Sequence, residues 1–179
     1  YVSAHLTSHG NWRISQLDCL LYNALIVPGA EAHLPLAVRL LNEAFHRQIH
    51  ADGSHEEHNP SYHGWMCRLF TNLWRLQQAR PGLGLHIDTL RAARMWDYAV
   101  CSTAPDGGSA GLHDSSAWTR GSSSSAVHDP HARRRRKTRI AAVAARRDFL
   151  KAAGLSRRRG LDLERNPSRW FENAGQLFL

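Results

Sequence analysis

The feature that most limits how this chain can fold is the spacing of its helix breakers. Pro28-Gly29, Asp52-Gly53, Pro81-Gly82 and Pro105-Asp106-Gly107-Gly108 divide the first part of the chain into four segments. Within each segment apolar residues recur at helical intervals. Ile14, Leu17, Leu20-Leu21 and Leu25 mark the first, which begins at Asn11. Leu34, Val38, Leu41, Phe45 and Ile49 mark the second, from about Glu31 to His50. The third opens at Asn59-Pro60, an N-cap residue followed by one suited to the first turn, and carries Trp65, Leu69, Leu73 and Leu76. The fourth covers about Leu85 to Cys101, with Ile87, Leu90, Met95 and Tyr98 among its apolar positions. No strand pattern precedes residue 160. The chain reads as all-α, two antiparallel helical hairpins in series with a weak repeat of roughly 50 residues.

Charge separates the rest of the chain from this part. The formal net charge is +8, with 12 histidines besides. Much of the excess lies late, in Arg133-Arg134-Arg135-Arg136-Lys137 and Arg157-Arg158-Arg159. A basic balance suits an anionic partner, such as an acidic polysaccharide, nucleic acid or a membrane surface. An arginine run is more often a solvated tail than a nucleic-acid site. The serine run Ser122 to Ser125 and the arginines after it read as a solvated linker. Residues from about Arg139 to Ala153 suit a helix with little apolar face, and the aromatic stretch Ser168 to Leu179 suits the opening of a β-strand. Cys19, Cys67 and Cys101 sit in apolar helical patterns and read as buried free thiols. No zinc-type cysteine spacing and no span long enough for a bilayer occur in the sequence. The chain starts at Tyr1 without Met and ends in an apolar run, so a piece of a larger protein is expected.

Chemistry concentrates between the second and third helices, in Asp52-Gly53-Ser54-His55-Glu56-Glu57-His58-Asn59-Pro60-Ser61-Tyr62-His63. A plain turn does not need such side chains. If successive helices alternate in direction, the first, third and fifth begin at one rim. That rim gathers Asn11, the loop from Asp52 to His63 and the loop from Asp106 to Asp114. Helix N-termini aim free N–H groups and positive dipole ends at it, which favours an anionic ligand.

Asn11-Trp12-Arg13, Gln48, Asp52-Gly53-Ser54-His55, Glu57, Pro60-Ser61-Tyr62-His63, Pro105-Asp106-Gly107 and Asp114-Ser115 together resemble the heparinase II/III-type polysaccharide lyases, a group that includes alginate and oligoalginate lyases. The likeness runs in order over about residues 8 to 118. It departs at Asn59, where family members usually carry serine. It implies a partial (α/α) toroid of helical hairpins over residues 1–118, truncated at the start of a C-terminal antiparallel β-sandwich. Residues 119–146 would be a basic Ser/Arg-rich linker, a disordered stretch or one altered by a reading-frame error. Residues 147–179 would be the passage into the β domain.

The resemblance also implies β-elimination across a uronic acid, with no metal and no cofactor. Asn11 would neutralise the sugar carboxylate, Tyr62 would protonate the leaving oxygen, and His63 would be a second base or tune Tyr62. Arg13 and His113 would hold an acidic polysaccharide, Trp12 would stack on a sugar ring, and Glu57 and Asp114, counted with the substrate-binding set, would orient these groups. The full-length enzyme would be secreted or periplasmic. Plainer roles stand beside these. Asn11 can cap the first helix, Tyr62 can pack at a helix start, Trp12 and Trp65 can be core aromatics, and His113 and Asp114 can cap the next helix. His55, His58 and Glu57 lack the HExxH spacing of a zinc site. Two other functions compete. A glycoside hydrolase would need a flanking carboxylate pair, and a helical module with a basic tail would bind nucleic acid in a salt-dependent way. An inert truncated fragment is the remaining case.

Overall fold

The computed structural model describes residues 5–103, 130–155, 169–171 and 176–178. Five helices carry it: α1 (Gly10–Ile26), α2 (Leu34–Gln48), α3 (Pro60–Ala79), α4 (Thr89–Cys101) and α5 (Pro130–Ala152). A short hairpin follows, with β1 (Arg169–Phe171) antiparallel to β2 (Gln176–Phe178) and Trp170 opposite Leu177. The described part is therefore helical, as the breaker spacing implies, with strand where the aromatic C-terminal stretch suggested it.

Helix α1 packs on α2, α3 on α4, and α4 on α5, while α1 also touches α3. One core joins them. Ile14, Leu17 and Leu21 of α1, Leu41 and Phe45 of α2, Met66, Phe70 and Leu73 of α3, and Ala93 and Met95 of α4 are all buried in it. The Phe45 and Phe70 rings meet edge to face at 4.9 Å and bind the first hairpin to the second. Burying a side chain of this size contributes roughly 1.5–3 kcal/mol, so these helices are held by packing.

Three boundaries differ from the sequence reading, each for a local reason. Helix α2 begins at Leu34, because Glu31–His33 wind as a single 3-10 turn ahead of Pro35. It ends at Gln48, because Ile49 turns extended, pairs with His55 and buries its side chain. Helix α4 begins at Thr89, where the Asp88 carboxylate caps the Arg91 N–H at 2.6 Å. Leu85 and Ile87 are apolar because they plug the core from an extended strap, with the Ile87 N–H donating to the Gln77 side chain at 2.6 Å. Cap residue Asn59 does start α3, accepting from the N–H groups of Ser61 and Tyr62.

Other sequence expectations need correction. Trp65 and Leu90 are exposed, and the core stripes run instead through Met66, Phe70 and Trp74 on α3 and through Ala92, Ala93 and Trp96 on α4. Cys67 is buried, but Cys19 is exposed and Cys101 half-buried; all three are free thiols. Helix α5 runs unbroken across residue 146. Its C-terminal part does have an apolar face, since Phe149 and Leu150 are buried and Phe149 stacks edge to face on Trp74 at 5.0 Å. Buried Asp97 of α4 accepts from Arg146 at 2.7 Å and fixes α5 alongside.

Candidate functional site

The start of α1 lacks a cap of its own. His9 occupies the cap position in an extended conformation and its side chain bonds none of the first-turn N–H groups. Those orphan donors need acceptors, and the positive end of the helix favours anions. The loop between α2 and α3 supplies both. Glu56 accepts the Gly10 N–H at 2.9 Å, and Glu57 accepts the Asn11 N–H at 2.9 Å through Oε1. The other oxygen of Glu57 accepts from Asn11 Nδ2, also at 2.9 Å. Asn11 is thus not the cap of α1 but a buried residue of its first turn.

The loop that delivers these carboxylates is clamped by α4. Gly53 has φ +92 and lies so close to the Arg94–Met95 backbone that a Cβ would collide with it. Only glycine meets both conditions without strain. Arg94 donates to the Ala51 carbonyl at 2.6 Å, and Arg91 donates to that of Ile49 at 3.2 Å. Asp52 closes the turn by accepting from the Ser54 N–H and hydroxyl at 2.9 and 2.7 Å.

Beneath the loop lie two neutral imidazoles. His55 is buried, and its Nδ1 accepts the Glu57 N–H at 3.3 Å while Nε2 faces the Gln48 amide at 3.3 Å. Burial, then the imidazoles of His63, His50 and His58, push the His55 pKa down to about 3. His63 is also fully buried. Its Nε2 donates to the Met95 carbonyl at 2.8 Å, which places the proton on that nitrogen and leaves Nδ1 bare and without a partner. Burial lowers its pKa to about 4, and its ring rests edge-on against Tyr98 at 4.5 Å. The Cys67 thiol shares the Met95 carbonyl at 3.4 Å, and burial pushes its pKa up.

The expected site residues therefore separate. Asn11 and Glu57 are in direct contact, and the loop from Glu57 runs through cap residue Asn59 to Tyr62, which is 36 % exposed in the first turn of α3. Trp12 is 72 % exposed beside Asn11, and Trp65 is 41 % exposed one turn beyond Tyr62. Neither tryptophan is a core aromatic. Arg13 donates to the Thr7 carbonyl at 2.7 Å, so its guanidinium is held by the preceding segment. Of the two roles expected for His63, direct proton abstraction has no route to a substrate from its buried place. His113 and Asp114 lie outside the described residues, with the rest of the loop from Asp106.

Sequence reasoning missed the joint part played by Gly10, Glu56 and Met95. One signal was present: a helix starting at Gly10-Asn11-Trp12 with His9, not Ser, Thr, Asn or Asp, immediately before it must find its cap elsewhere. Among the described residues no three His, Cys, Asp or Glu side chains come together as a metal ion would require. A concavity of about 560 Å³ does occur, but at the opposite end of α3, lined by Trp74, Arg75, Gln78, Thr89 and Ala152. It contains none of the expected site residues.

A family model described as Heparinase II/III N-terminus matches residues 1–129 of the 179. The chain belongs to that family. No curated protein and no solved structure matches it. Within the described residues no helix is long and apolar enough to cross a membrane.

Proposed function

We propose that this chain is part of a lyase that cleaves a uronic-acid-containing polysaccharide, heparan sulfate-like or alginate, by β-elimination. The family supports a link to polysaccharide lyases. The observation that carries the finer reading is the bond from Asn11 to Glu57 within the loop that leads to Tyr62. One Nδ2 hydrogen of Asn11 is taken; its other hydrogen and Oδ1 make no bond to the described residues. An amide so placed suits a sugar carboxyl. Neutralising that carboxylate acidifies the C5 proton. Tyr62 then protonates the leaving glycosidic oxygen, and for one sugar stereochemistry it also takes the C5 proton.

In the same reading the helices belong to an (α/α) toroid that precedes a β-sandwich. Trp12 offers a face for a sugar ring, and Arg13 reaches the substrate by leaving Thr7. His113 and Asp114 complete the rim, and the full-length enzyme is secreted or periplasmic. His63 supports Tyr62 from beneath and does not react.

The product of elimination carries a C4–C5 double bond conjugated to the carboxyl and absorbs in the ultraviolet. Tyr62→Phe is expected to lower its release about 10²–10⁴-fold, the usual worth of general acid–base catalysis, with an unchanged melting temperature. Full activity in the variant would contradict the proposed acid.

A further inference from the structure

We propose that Glu57 is a positioning residue, which locks the Asn11 amide and holds it in register with the start of α3. This rests on the reading of Asn11 and Tyr62 above and adds a residue to it. One carboxylate grips two hydrogens of a single residue, the N–H and Nδ2 of Asn11, each at 2.9 Å. Such a two-point contact fixes both the backbone and the side-chain torsions of Asn11. The bonds are charge-assisted, hence stronger than neutral ones.

The surroundings are built for this grip. Gly10 has φ +76, and a Cβ there would run into Glu57 Oε1, so the absent side chain is the room the carboxylate occupies. The Glu57 N–H is tied to buried His55, and the turn before it is jammed against α4 at Gly53. The position of Glu57 is consequently set by α4 and passed on to α1. Asn59, two residues later, caps α3 with its side chain. A short, clamped stretch thus spans from the amide to the first turn that carries Tyr62.

Glu56 is the internal control. It caps the Gly10 N–H at 2.9 Å and bonds no atom of Asn11. Both glutamates serve the helix end, and only Glu57 holds the amide. A merely structural role would make the two substitutions equivalent.

The experiment uses the full chain, ¹⁵N-labelled, as wild type, Glu57→Gln, Glu56→Gln, Asn11→Ala and the Glu57→Gln/Asn11→Ala double variant. In the wild type and Glu56→Gln, one Asn11 Nδ2 proton is expected to be shifted downfield and to exchange about tenfold or more slowly than a free amide, as a bond worth at least 1.5 kcal/mol requires. Glu57→Gln, which keeps one uncharged oxygen for at most one of the two bonds, weakens that signature measurably. Where Glu57→Gln does not fold, Glu57→Asp serves, with a weakened signature expected. On heparan sulfate or alginate, Glu57→Gln lowers kcat by about 10- to 100-fold with KM within about twofold, and Glu56→Gln lowers thermal stability alone. In the Asn11→Ala background Glu57→Gln has no further effect on kcat. An unaltered Asn11 amide signal in Glu57→Gln, or effects on kcat that multiply in the double variant, would overturn the proposal. If the wild-type chain releases no unsaturated product from either polymer, the kcat comparison falls away and the amide signal alone decides the role of Glu57.

Discussion

The two ends of α3 are built differently. At its start, polar groups from α1, the loop between α2 and α3, and α4 converge: Asn11 on Glu57, Gly10 on Glu56, His63 on the Met95 carbonyl. At its end, Trp74 meets Phe149 of α5, and a hollow of about 560 Å³ is lined by Trp74, Thr89 and Ala152 among others. The end with the hollow lacks convergent reactive groups. Pockets are the usual first guess for a site, and that guess points away from Asn11, Glu57 and Tyr62. The start of α3 is marked instead by a bare buried Nδ1 on His63 and by two glycines whose missing Cβ lets Glu57 and the α4 backbone close in.

The largest expected effect lies where α5 is fixed to α4. Arg146→Ala leaves the Asp97 carboxylate without its guanidinium in a fully buried place. Removing one partner of such a pair costs about 3 kcal/mol or more, to be read from denaturant unfolding. Turnover per folded molecule should be unchanged. A fall in turnover at constant fold would mean that the two ends are coupled and that α5 belongs to the site.

The rim should reveal itself by its response to acid. His55 and His63 are neutral in the fold and free to charge once unfolded. Below an unfolded pKa of about 6.5 the unfolded chain binds more protons, so stability falls as pH drops. The loss continues through about 4 for His63 and about 3 for His55. Each adds a slope of up to about 1.4 kcal/mol per pH unit. His63→Gln removes one titration and should flatten the acid limb of a stability–pH curve by roughly half. An unchanged limb would show that His63 titrates normally and is not sealed.

The smallest effect lies between the two ends, in the middle of α1. Asp18 has its carboxyl pKa raised to about 6 by burial, and one of its oxygens has no hydrogen-bond partner. The folded chain holds this proton more tightly, so stability declines as pH rises from about 4 to 6. Asp18→Asn should raise the melting temperature modestly at pH 7 and leave it unchanged near pH 4. A gain at both pH values would point to packing in place of charge.

Much of the helical frame was legible because helix breakers and apolar periodicity are local signals. Asn59-Pro60 announced the start of α3 by its own chemistry. Leu85 and Ile87 misled because a buried strap and a helix face both call for apolar residues. Glu31 misled because a 3-10 turn and a first helical turn share a composition. Within the site, the meeting of Asn11 with the 52–63 loop followed from alternating helix directions. The partner atom did not, since the bond from Asn11 to Glu57 spans 46 residues and depends on how far α4 pushes the loop at Gly53. His63 looked reactive beside Tyr62, and only its burial separated the two.

The central claim is that the Asn11 amide and the Tyr62 phenol serve one sugar acid. Its most direct test is a crystal structure of the chain with a uronate oligosaccharide bound, using Tyr62→Phe to prevent turnover. The expected result is a sugar carboxyl on the Asn11 amide and the glycosidic oxygen facing the ring of residue 62. An oligosaccharide seated in the hollow by Trp74 and Ala152, or touching residues 11 and 62 never together, would contradict it.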